Sequence, residues 1–362
     1  MGQSRSRWRR AAAAVVGVGA AGVAVTAAEL GVIGGALLRE AYRYPKPIDD
    51  GPDPLLAAPS GARSSVVGAS DGTLLHAVIS GDVDAADEIV ILIHGWTCNT
   101  GFWNAQVGHL GGRRALIAYD QRGHGLSEMG STKPTAELLG RDLQAVIDEL
   151  VPDGKRAVLV GHSMGGMTIM SWAAQFGAGM EEKISGIVLT STAAFGVVQR
   201  QLLVPKNLPA FARPFEPLVE RAFVSTPLPL PANSAITERI THYVALGPVA
   251  RQAHVDFSDE QIAACSPTAR AAWGAAMYSL DLRPGLAKIT VPTAVVVGSA
   301  DRLTSPEHAE EMAQVLRGNG VLHSITEYPG AGHMVPIERA VQYNRLLDQV
   351  LDDVAAAHPL EV

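Results

Sequence analysis

The sequence predicts an α/β protein: a mostly parallel sheet of eight strands with helices on both faces and an inserted helical lid. Three observations predict it. Short β-branched apolar runs alternate with stretches of helical periodicity, the pattern of buried parallel strands covered by helices. One such run, Ala157–Val160, leads through Gly161-His162-Ser163-Met164-Gly165 into apolar residues at helical spacing (Met167, Met170, Ala174). Ser163 therefore stands at a sharp strand-to-helix turn. From Ala193 to Ala287 the strand rhythm stops, prolines cluster and amphipathic segments take over, as expected of an insertion between two core strands.

Taken in order, residues 1–43 are basic and then apolar. Arg5, Arg7, Arg9 and Arg10 precede an uncharged run from Ala11 to Ala28, which as a helix would span roughly 27 Å, close to a bilayer's hydrocarbon thickness. The expectation is a membrane-anchoring helix with an extracytoplasmic globular part. The alternatives are export followed by cleavage near Val25-Thr26-Ala27, or a soluble helical tail. Gly17-Val18-Gly19-Ala20-Ala21-Gly22 matches a dinucleotide fingerprint but lacks the preceding strand that phosphate binding needs, so it reads as small-residue helix packing. Residues 44–63, with Pro45, Pro47, Pro52, Pro54 and Pro59, read as an extended linker.

The globular part is expected over 64–192 and 288–357, interrupted by the lid at 193–287. Two strands joined at Asp71-Gly72 form an opening hairpin. Strand patterns at 88–94, 115–120 and 186–191 then alternate with helices near 101–110 and 135–150. After the lid come a strand at 292–298, a helix over 306–317, a strand from His323, and a closing helix from Ile337 toward Ala356. The lid's position sets it over the carboxyl edge of the sheet, where ligands bind.

Composition narrows the function. With 362 residues, 47% hydrophobic and 18% charged, the chain can bury a substantial core, and a net charge of -7 gives no electrostatic reason to expect nucleic acid. Cys98 and Cys265 are the only cysteines, too few for a disulfide scaffold or a cysteine-rich zinc site; one bridge or two buried thiols both remain open. No motif asks for a cofactor or a metal.

The Gly-x-Ser-x-Gly turn, the His94-Gly95 pair after an apolar strand, the stretch Asp120-Gln121-Arg122-Gly123-His124-Gly125-Leu126-Ser127, and Gly330-Ala331-Gly332-His333 fall in one order on the expected elements. In this the chain resembles the α/β-hydrolase superfamily, and within it the serine esterase and monoacylglycerol-lipase-like branch. The resemblance implies an α/β-hydrolase fold with Ser163 as nucleophile, His333 as general base and Asp301 as the acid that orients it. His323 competes as base but begins its strand instead of following it. Asp301 is read alternatively as a cap for the helix near Pro306. The oxyanion hole is expected from the backbone N–H groups of Trp96 and Met164. His162 is expected to point away from the nucleophile, and the Asp120–Ser127 loop to support the site without bond-making. Serine at the turn, where related branches carry aspartate, points to an acyl-enzyme. A small-molecule or lipid ester is the expected substrate, with carbon–carbon bond hydrolysis and cofactor-free perhydrolysis as alternatives, and a non-catalytic ligand-binding protein more remote.

Overall fold

The structure, a computed structural model, describes residues 31–203, 221–222, 224–227, 229–231 and 234–357. Eight strands form one sheet: β1 Arg63–Gly68, β2 Leu74–Ser80, β3 Glu88–Ile93, β4 Ala115–Tyr119, β5 Arg156–His162, β6 Ile184–Thr190, β7 Thr293–Gly298 and β8 Leu322–Tyr328. Their spatial order is β1-β2-β4-β3-β5-β6-β7-β8. The β1–β2 hairpin and the β2–β4 pair are antiparallel, and every later pair is parallel.

The apolar runs explain which strands lie inside. β4, β6 and β7 are buried at every position, and β3 and β5 at all but the first, because helices cover both faces. Alternate side chains feed two cores. Ile89, Ile91, Ile93 and Leu159 pack with helices α3 (Ala136–Leu150), α4 (Met164–Phe176) and α8 (Pro306–Gly318). Val90, Leu92, Val158 and Val160 pack with α2 (Asn104–Leu110) and α9 (Ala340–Ala357).

The chain winds from β3 to β4 on one side and then places β5 on the other side of β3. Such a reversal opens a crevice at the carboxyl ends of the strands. The register Ile93↔Gly161 brings the ends of β3 and β5 side by side, so the His94-Gly95 loop lies against the serine turn. Between β6 and β7 the insertion contributes α5 (Ala235–Ala245), α6 (Gln252–Ala264) and α7 (Pro267–Met277).

The membrane expectation is corrected. No helix among the described residues is long and apolar enough to cross a membrane. The described helical residues 31–43, α1, carry Arg39, Glu40 and Arg43 and bury Ile33 and Ala41. The arginine cluster, the Ala11–Ala28 run, the glycine fingerprint and the cleavage motif lie outside the described residues. The proline-rich stretch that follows is irregular apart from one 3-10 turn at Pro54–Leu56, and it is fastened to the insertion. Ile48 exchanges backbone hydrogen bonds with Ala250 and Gln252 at 2.9 and 2.8 Å, and Arg251 pairs with Asp50 and Asp53.

Candidate active site

Ser163 sits between β5 and α4 with φ 53° and ψ −116°, a conformation that costs a non-glycine residue about 1–3 kcal/mol. Its own backbone is held on both sides. Its N–H donates to the Thr190 carbonyl at 2.9 Å, and its carbonyl accepts from Gly166 N, Met167 N and the Thr192 hydroxyl at 2.9, 3.2 and 2.7 Å. Absent side chains make room for the bend. A Cβ on Gly165 would lie 2.0 Å from the Ile93 oxygen, and one on Gly95 would lie 2.7 Å from His162 Nδ1.

Asp301 and His333 come from the loops after β7 and β8. His333 Nδ1 donates to Asp301 Oδ2 at 2.9 Å, and both side chains are buried. The second carboxylate oxygen accepts from the backbone of Leu303 and Thr304 at 2.9 Å each, while the Thr304 hydroxyl donates to Oδ2 at 2.9 Å. Burial pushes Asp301 upward, but the facing imidazole and these hydrogen bonds more than offset it, so the carboxyl stays below its ordinary range. An ionised acid there accepts the proton of Nδ1, which leaves Nε2 as the acceptor of the ring. Asp301 does not cap α8 by side chain; Ser305 occupies that cap position.

Ser163 and His333 line one cavity of about 300 Å³, with Trp96 and Thr304 beside them. Its wall is mainly apolar, from Val197, Val224, Ile240, Val244 and Met277, with Gln201, Thr226, Thr237, Thr241, Asp259 and Arg270 as polar side chains from the insertion. Met164 is the first residue of α4, so its amide has no partner within the helix. Neither that amide nor the Trp96 amide donates to another backbone group among the described residues. The Trp96 indole is anchored by donating to the Arg270 carbonyl at 2.9 Å.

A profile described as the alpha/beta hydrolase family matches residues 90–346. The chain belongs to the alpha/beta hydrolase family. A 3-oxoadipate enol-lactonase of Acinetobacter baylyi is 26% identical over 265 residues, covering 70% of this chain and 84% of that protein. A 2-(acetamidomethylene)succinate hydrolase of Mesorhizobium japonicum is 26% identical over 249 residues, covering 68% and 82%. Among solved structures, a thermophilic esterase from Thermogutta terrifontis aligns with a TM-score of 0.65 at 23% identity, over 81% of this chain and 99% of that one.

In this alpha/beta hydrolase the loop after β4 forms a scaffold. Asp120 accepts from Thr100 N at 2.7 Å, Leu126 N at 3.0 Å and His76 at 2.8 Å. Gln121 N donates to His94 Nε2 at 2.9 Å, while Thr168 Oγ1 donates to Gln121 Oε1 at 2.6 Å, tying the loop to α4. Arg122 is fully buried between Asp71 and Asp142. Other candidates fall outside the site. His323 pairs with Asp353 at 3.1 Å, and the two cysteines are free and buried, their thiols pushed up to about 12 for Cys98 and about 11 for Cys265 by burial. Among the described residues no group of three or more metal-ligating side chains is assembled.

Three contributors have parts that sequence reasoning did not assign them. Thr304 bridges Asp301 and His333, its hydroxyl 3.2 Å from Nδ1. His162 lies beneath the base loop, with Nε2 3.0 Å from the His333 carbonyl and its ring stacked on Phe102 at 4.4 Å. Burial keeps that imidazole well below its ordinary pKa, so it is neutral and donates. The third, Glu338, accepts from the main chain of the histidine loop at Gly332 and of the insertion at Gly247.

Proposed function

We propose that the protein is a serine hydrolase that cleaves carboxylic esters with hydrophobic acyl or alcohol groups through an acyl-enzyme on Ser163. The observation that carries this reading is the buried Asp301–His333 pair opening into the same apolar cavity as a serine held at a strained turn. A serine hydroxyl is a weak nucleophile and needs such a base.

In the proposed reaction His333 Nε2 takes the hydroxyl proton as Ser163 Oγ attacks the ester carbonyl carbon. Asp301 holds the tautomer and stabilises the imidazolium that forms. The N–H groups of Trp96 and Met164 receive the developing oxyanion, each such donor being worth about a hundredfold to a thousandfold in rate. The tetrahedral species collapses as His333 returns the proton to the alcohol oxygen, which leaves. Water then attacks the acyl-serine with His333 again as base, releasing the acid and regenerating the hydroxyl. A volume of about 300 Å³ is at the lower end of ligand sites, which favours compact hydrophobic esters over long acyl chains.

The test is covalent labelling with a fluorophosphonate, followed by assay of short nitrophenyl esters, monoacylglycerols and lactones. Labelling and turnover both lost in Ser163→Ala support the reading. Ester turnover that survives this substitution overturns it, as does a wild-type protein that neither reacts with the probe nor hydrolyses any of the three classes.

A further inference from the structure

The strongest structural link between the insertion and the catalytic machinery is a buried carboxyl that neither the motifs nor the proposed reaction uses. Glu338, 6% exposed, lies on the single turn Val335–Glu338 that follows His333. Its Oε1 accepts from Gly332 N at 2.8 Å and its Oε2 from Gly247 N at 2.8 Å. Gly332 immediately precedes the histidine, and Gly247 lies just beyond α5. The same two segments are joined again where His333 N donates to the Ala245 carbonyl at 2.8 Å. They touch so closely that a Cβ on Gly332 would lie 2.4 Å from the Leu246 carbonyl carbon, and one on Gly247 would lie 2.0 Å from the Gly330 oxygen.

We propose that Glu338 is a positioning residue for the general base, its two oxygens clamping the histidine loop onto the 245–247 segment of the lid. The proposal rests on reading Ser163 and His333 as nucleophile and base. Two hydrogen bonds from one carboxylate fix both the height of Gly332 over the sheet and the distance to the lid. An ionised carboxylate accepts at both oxygens, whereas a protonated one turns one oxygen into a donor facing an N–H. The clamp is complete only in the ionised form.

Burial sets when that form exists. It pushes the Glu338 carboxyl up to about 7, against the pull of the two amides and of Arg339, with Asp301 adding to the rise. Arg339 donates to the Glu338 and Pro329 carbonyls at 3.0 and 3.1 Å. From the lid side His242 Nε2 sits 3.1 Å from the Gly247 carbonyl, and Tyr44 donates to the Leu246 carbonyl at 3.1 Å. His333 itself completes the set of titratable groups around the clamp.

The experiment measures the second-order rate of fluorophosphonate labelling at Ser163 from pH 5.5 to 8.5, which reports nucleophile activation without a known substrate. Glu338→Gln keeps the shape and mimics the neutral form. At pH 8 it is expected to label about ten- to a hundredfold more slowly, the scale of a misplacement near 1 Å. The ratio of wild type to Glu338→Gln is expected to close toward one as pH falls through about 7. Glu338→Asp, charged but too short to reach both amides, recovers part of the rate above pH 7. If Glu338→Gln does not fold, the Asp variant serves alone, its deficit closing below pH 7. A ratio of one at pH 8, or a deficit that is constant with pH, overturns the clamp. Wild-type protein that does not label at all overturns the serine-hydrolase reading and this one with it.

Discussion

Replacing Asp301 with asparagine tests the candidate base most directly. The carboxylate accepts four hydrogen bonds, and they sort by oxygen: Oδ1 takes the amides of Leu303 and Thr304, while Oδ2 takes the Thr304 hydroxyl and His333 Nδ1. In Asp301→Asn the amide oxygen stays toward the two backbone donors, so the NH₂ group replaces Oδ2. It then donates to His333 Nδ1, and the ring proton moves to Nε2, the nitrogen that must accept from Ser163. The same change in the serine-protease triad lowers kcat by about ten-thousandfold, or about 5 kcal/mol at 1.36 kcal/mol per tenfold. Shape and packing are nearly unchanged, so the expected loss is in kcat while the fold persists.

The pH dependence has a definite sign. Because the Asp301 pKa is depressed in the fold, its pairing contributes stability above the ordinary carboxylate range near 4, and that contribution disappears as pH falls through the folded value. Wild type and Asp301→Asn should therefore converge in stability at acid pH. Steady-state hydrolysis of a nitrophenyl ester, urea unfolding at pH 7 and at pH 3, and a circular dichroism spectrum give the three readings. A loss in kcat of less than tenfold in a folded variant refutes the assignment of Asp301 as the orienting acid.

Other outcomes follow from the same structure. Arg122→Met strands Asp142, whose side chain is 4% exposed, and should cost about 3–5 kcal/mol in urea unfolding; a loss below about 1 kcal/mol means that the loop does not depend on this charge. Gly165→Ala, whose Cβ meets the Ile93 oxygen at 2.0 Å, must shift the serine turn, and Ser163 labelling should slow about a hundredfold. An unchanged rate in that variant denies the tight turn its role. The two buried thiols should resist iodoacetamide at pH 8 in the native state and react fully in urea; rapid native alkylation at Cys98 contradicts its burial.

Much of this was legible in the sequence for physical reasons. A parallel sheet covered on both faces needs uninterrupted apolar strands, and β3 to β7 announce themselves that way. Ser163 was readable because only small neighbours permit its turn, and Gly165 lies close enough to Ile93 to show why. Asp301 and His333 were placed by resemblance and chain order, and the fold brings them within 2.9 Å. The parts of Thr304 and Glu338 were not legible, because the contacts that matter, with His333 and Gly247, join segments apart in sequence, and of His162 the sequence predicted only that it points away from the nucleophile. The membrane expectation rested on the arginine cluster and on the length and hydropathy of the run after it, all outside the described residues. In the part of that segment which the structure describes, charges interrupt the helix and Ile33 and Ala41 are buried.

The contacts around His333 also change what the insertion means. A lid that only covers a pocket could be exchanged or trimmed with effects confined to which substrates enter. Here the Ala245 carbonyl receives the amide of His333, the proposed base, and Gly247 shares a carboxylate with the residue before it. The Trp96 indole, beside a proposed oxyanion donor, is held by the backbone of α7. The insertion therefore supplies the seat of the proposed base and braces the loop of a proposed oxyanion donor as well as the pocket wall. Changes along α5 or α7 that leave the cavity lining intact should still lower kcat, and specificity and rate should prove hard to alter separately.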